Sequence, residues 1–87
     1  MKFKKDGRDE CFFLILQFFK YADELLTLLP QEQRQHFSRA IGRAKDEDEL
    51  VKVFEELEKA TWHLRPSDLE ITVKDFIEIL REYDCVE

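Results

Sequence analysis

The stretch DECFFLILQFFKYADELLTLLP, residues 9–30, decides the fold. At about 100° per residue, Leu14, Ile15, Phe18, Phe19, Ala22, Leu25, Leu26 and Leu29 fall on one side of a helix, with Glu10, Gln17, Lys20, Asp23, Glu24 and Thr27 opposite. The apolar arc covers about half the circumference or more, wider than the stripe of about 100° that an ordinary surface helix needs. Such a helix must touch more than one neighbour. Phe12, Leu16 and Phe19 carry the arc past what three short partner helices can cover. Each large side chain left in water forfeits roughly 1.5–3 kcal/mol of burial. The simplest cover is a second copy of the chain, so these three residues are assigned to self-association and a homodimer is expected.

Pro30 ends this helix and suits the start of the next, where its missing N–H costs nothing. The spacing predicts a second helix over Gln31–Ala44, with Phe37, Ala40, Ile41 and Ala44 inside and His36, Arg39 and Arg43 outside. Gly42 weakens its last turn, by up to about 1 kcal/mol relative to Ala. Asp46 and Glu49 have capping-box spacing, and the acidic run at 46–49 suits the positive end of a helix dipole. A third helix starts there, burying Leu50, Val53, Phe54, Leu57 and Leu64, and ends around residues 63–65 because Pro66 disfavours helical geometry before it. An irregular connection to Ile71 follows. Thr72, with Asp75 three residues on, caps a fourth helix whose stripe is Val73, Phe76, Ile77, Leu80 and Tyr83.

Four amphipathic segments with short connections read as an all-α protein, a compact bundle of four helices with antiparallel neighbours. The chain is expected to form a single helical domain over residues 1–87, with residues 1–8 disordered or frayed. Two Gly and two Pro among 87 residues are too few for the tight turns of an all-β domain.

Charge narrows the function. The net charge is −6 and the isoelectric point about 4.9, which opposes general attraction to nucleic acid. Lys2, Lys4, Lys5 and Arg8 ahead of the apolar run at 11–19 mimic a secretion leader, but Asp6, Asp9 and Glu10 interrupt the basic part and Gln17 and Lys20 break the apolar part. The run is also shorter than the roughly 20 residues of a membrane span. No membrane association and a cytoplasmic location are expected. Cys11 and Cys85 are accordingly read as two reduced thiols serving as small hydrophobes, the alternative being a staple between the first and last helices. Asparagine is absent and 39% of residues are charged, a bias found in thermophile proteins.

Chemistry-bearing motifs are sparse. His36, His63 and the two cysteines lack metal-site spacing, Asp46-Glu47-Asp48 lacks the Gly and closing Glu of a calcium loop, and Glu55, Glu56 and Glu58 lack the His of a di-iron bundle. There is no phosphate-cradling glycine loop and no nucleophile elbow. No metal, no cofactor and no enzymatic activity are expected.

Partner binding is the remaining class. Residues 31–45 sum to +3 while residues 46–60 sum to −5 and residues 61–87 to −4, so a basic helix sits inside an acidic chain. Arg39 and Arg43, four apart, repel each other unless an anion answers them. That anion is supplied either by the third or fourth helix of the same chain or by an acidic partner segment or phosphate. Trp62 and Val51 share a flank of the third helix, away from its main stripe, and form a second candidate partner surface; alternatively Trp62 folds over the bundle end near Leu64 and Leu69. His36 precedes Phe37, Ser38, Arg39 and Ala40, an order that resembles the phosphoacceptor helix of histidine phosphotransfer domains, with Arg39 and Ala40 where that family favours Lys and Gly. The resemblance implies a phosphorelay carrier with His36 as phosphoacceptor. A small nucleic-acid regulator using the second helix is a further alternative, weakened by the acidic helices beside it. The leading expectation is a non-enzymatic protein–protein interaction or regulatory module that self-associates through its first helix and meets an acidic or apolar segment of a protein partner.

Overall fold

The computed structural model describes residues 1–4 and 9–87 and places four α-helices along them: α1 (Asp9–Leu26), α2 (Gln31–Arg43), α3 (Glu47–Thr61) and α4 (Val73–Glu82), with a 3-10 turn at Trp62–Leu64 after α3. The fold is an all-α four-helix bundle. Local chemistry sets the helix ends. Asp46 Oδ1 accepts a hydrogen bond from Glu49 N at 2.9 Å, capping α3, while the Glu49 carboxylate reaches back one residue further than a capping box requires and accepts from Lys45 N at 2.8 Å. Thr72 and Asp75 close a complete capping box on α4. Past the C-terminus of α1, Arg34 from the following helix donates to Leu26 O and Leu29 O at 3.2 and 3.1 Å, tying α2 to the turn that ends α1.

α1 and α3 each pack against all the other helices, whereas α2 and α4 do not meet. The bundle is thus a flattened diamond with the α1–α3 pair as its short diagonal, 37 × 30 × 17 Å along its principal axes. Phe18 of α1 is the hub of the core, edge-on to Phe54 at 5.0 Å and stacked on Phe76 at 4.9 Å between ring centroids. Leu25, Leu57, Val73 and Leu80 complete the buried centre. α2 buries no side chain fully; Phe37 and Ile41 lie half-covered against the cluster. Gly42 is neither frayed nor closely packed, since the helix runs through it to Arg43 and an added methyl would meet nothing within 4 Å.

Cys11 and Cys85 form a disulfide, which corrects the reduced-thiol expectation, with Cα atoms 5.3 Å apart. The cause is the way α4 ends. Asp84 adopts a left-handed conformation (φ 56°), Cys85 N donates to Leu80 O at 2.8 Å and Asp84 N to Arg81 O at 3.1 Å, a Schellman stop that folds Cys85 back over Leu80. That turn aims the thiol at the start of α1. The adjoining tail pairs with the other chain end: Phe3 bridges Val86 in antiparallel fashion, Lys4 N donates to Cys85 O at 2.8 Å and Glu87 N to Lys2 O at 2.7 Å. The N-terminal ammonium sits 2.8 Å from Asp48 Oδ1. Residues 1–4 thus lie against the tail; the rest of the segment expected to fray, residues 5–8, lies outside the described residues.

Candidate functional site

The most prominent surface feature is the outward side of α1. Phe12, Phe13, Leu16 and Phe19 are 66%, 59%, 48% and 37% exposed, four large apolar side chains within two turns of one helix. α1 touches α2, α3 and α4, yet the flat arrangement puts all three behind it and leaves this face uncovered. The next two turns of the same face carry Lys20, Asp23, Glu24 and Thr27, so the apolar patch belongs to the N-terminal half of the helix alone. Phe19 is held edge-on to Phe54 at 5.6 Å between centroids, and Cys11, just before Phe12, is fixed by the disulfide. The patch is therefore presented on a rigid element. On its Phe19 side it borders a hollow of about 350 Å³ between α1 and α2.

A second surface lies between α2 and α3. His36, Arg39 and Arg43 from α2 and Lys52 from α3 line a groove of about 470 Å³ with Ala40 and Val53, together with Glu49 and Glu56. Among the described residues, no carboxylate lies within 4.0 Å of Arg39, Arg43 or Lys52. Helix α3 thus sets Glu49 and Glu56 in the same groove as the arginine pair, without a direct ion pair to it among the described residues. Asp48, one turn before Lys52, pairs with the N-terminal ammonium. His36 is exposed, its ring edge-on to Phe37 at 5.3 Å.

The Trp62–Val51 surface does not exist as such. Val51 is buried in the core, because α4 starts against the flank of α3 that carries Glu58, and that flank includes Val51. Trp62 is exposed, with the Arg65 guanidinium 4.8 Å from its ring centroid, a cation–π contact that holds the indole at the end of α3.

Under that indole lies a polar cluster that the sequence reading missed. Tyr21 Oη donates to Glu58 Oε2 at 2.6 Å, the same oxygen accepts from Val73 N at 2.8 Å, and Arg65 Nη1 stands 3.8 Å from it. Arg65 Nη2 donates to Leu69 O and Ile71 O at 2.6 and 2.5 Å, and only 7% of the Arg65 side chain is exposed. The cluster ties the irregular connection between α3 and α4 to the bundle. Burial, and then the hydrogen bond to Glu58, push the Tyr21 phenol well above its ordinary value near 10. Its role is structural, since Tyr21 and Arg65 are closed off from solvent. One signal was available in the sequence: Tyr21 falls toward the buried side of α1, where a hydroxyl requires a partner.

No protein family, no curated protein and no solved structure matches the chain. No described helix is long and apolar enough to cross a membrane, and among the described residues no three His, Cys, Asp or Glu side chains converge as a metal site would require.

Proposed function

We propose that this protein is a non-enzymatic interaction module that self-associates through α1. The observation that carries the reading is the exposure of Phe12, Phe13, Leu16 and Phe19 on one rigid face. A phenylalanine lying 66% in water on the first turn of a helix packed on its other side contributes little to its own fold, whereas aromatic residues are the common anchors of protein interfaces. A homodimer satisfies the patch with one contact, because a two-fold axis covers both copies at once. Light scattering at micromolar concentration tests it: the wild type associates, and Phe12→Glu or Phe19→Glu weakens association about 30-fold or more while leaving helicity unchanged. Unchanged association in both variants refutes the face.

The groove holding His36, Arg39, Arg43 and Lys52 is the proposed contact for an acidic segment of another protein, with Trp62 as a separate exposed anchor. Glu49 and Glu56 in the same groove weigh against a long polyanion such as nucleic acid. The cations gathered around an exposed imidazole support, as a second reading, a phosphoryl carrier at His36. Incubation with a small phosphodonor labels His36 only under that reading.

The disulfide bears on location. Such bonds persist in oxidising compartments, and in the cytosol chiefly of hyperthermophiles. The cytoplasmic reading therefore carries with it a thermophilic source, for which the charge-rich, asparagine-free composition speaks.

A further inference from the structure

Resting on the self-association reading, we infer that the second copy lies antiparallel along α1 and seats its Phe12 in the hollow between α1 and α2. Area is the first argument. At roughly 200 Å² for an aromatic side chain, the exposed parts of Phe12, Phe13, Leu16 and Phe19 come to roughly 400 Å² per protomer. A stable interface takes about 800 Å² from each partner. The remainder has to come from ground beside the patch, and on one flank that ground is concave and largely apolar: Phe3, Ile15, Phe19, Ile41, Ala44 and Leu50 line a hollow of about 350 Å³, to which the 45–47 segment adds three charged residues. Its far wall is built from Ile41 at the end of α2, the connection that follows, and the start of α3, and α2 has no fully buried side chain of its own. An aromatic ring placed there covers Ile41 as well as Phe19.

Charge sets the direction. Asp9 and Glu10 precede the patch and Lys20 follows it on the exposed side of α1. In a parallel pair these residues meet their own copies, like against like. In an antiparallel pair whose axis crosses near residue 15, the middle of the patch, Lys20 faces the partner's Asp9 and Glu10, and Leu16 meets the partner's Leu16.

Symmetry sets the flank. A two-fold axis across two antiparallel helices keeps the same flank of each helix on the same side. At 100° per residue Phe12 lies within about 20° of Phe19, and Phe19 lines the hollow. The partner's Phe12 therefore arrives beside Phe19, at the mouth of the hollow, while Phe13 lies on the opposite flank and packs along the partner's Gln17.

Hydrogen exchange of the wild-type chain at dilute and at high micromolar concentration tests the seat without any substitution. The expected result is slowing of about tenfold at high concentration in two separate segments, residues 12–19 of α1 and residues 41–45 at the end of α2. Slowing in α1 without α2, in a sample that sediments as a dimer, overturns the seat and leaves self-association standing. No slowing anywhere, in a sample that sediments as a monomer, overturns both. The direction is read by mixing chains carrying Asp9→Cys with differently tagged chains carrying Lys20→Cys and oxidising gently. Mixed disulfides should predominate; a product made of Asp9→Cys and Lys20→Cys homodimers overturns the antiparallel arrangement.

Discussion

Tyr21 shows how much a single side chain contributes when its environment holds it in one protonation state. Its phenol is buried and donates to Glu58, so the folded state keeps the proton at pH values where an unfolded chain has lost it. The sign follows: the folded state binds more protons than the unfolded one above pH 10, so stability is full below that value and falls as pH rises beyond it. Urea unfolding between pH 8 and pH 11 should show this decline in the wild type and a shallower one in Tyr21→Phe. Arg65 is the other critical residue of the cluster. Arg65→Ala leaves the Leu69 and Ile71 carbonyls and part of the Glu58 charge unanswered, and is expected to cost about 3 kcal/mol or more by denaturant melt, whereas truncating the exposed Lys74 should cost almost nothing. Neither role is legible in a single sequence, because the three side chains come from α1, α3 and the turn after α3 and meet only once the helices have packed.

At the level of helices, what could be read was what is local. The Asp46–Glu49 and Thr72–Asp75 caps depend on residues three apart, and both form. The breadth of the apolar arc on α1 is likewise a property of one segment, and it anticipated the exposed positions 12, 16 and 19. The burial of Val51 was not readable, because the core-facing side of α3 is rotated toward Glu58 by the docking of α4, which no pattern within α3 records. Helix α2 is the marginal element: it has no side-chain N-cap on Pro30, buries nothing fully and carries Gly42 in its last turn. Since a methyl at Gly42 meets open space, Gly42→Ala should stabilise the protein by about 0.5–1 kcal/mol, seen as a higher urea midpoint with an unchanged slope.

For the molecule as a whole, the disulfide is the main constraint that lies outside the helices. It links residues 74 apart and so closes nearly the entire chain, with the paired residues 1–4 and 85–87 next to it. Loop-closure entropy puts its worth at about 4 kcal/mol, and native bridges in small domains typically contribute about 2–5 kcal/mol. Cys85→Ala, or reduction, should lower stability by that order while the aromatic centre at Phe18, Phe54 and Phe76 still assembles. The bridge was invisible to spacing rules because it depends on the Schellman stop after α4 and on where α4 docks. The flat diamond has a further consequence: a chain only 17 Å thick leaves part of its most apolar helix in solvent, and this is the face that the proposed second copy would cover. Sedimentation equilibrium of the oxidised wild-type protein, from below micromolar to about 100 μM, measures this most directly. The expected mass rises to twice the 10.5 kDa of the chain, and a mass that stays at 10.5 kDa throughout would contradict the assignment of the α1 face to a second copy.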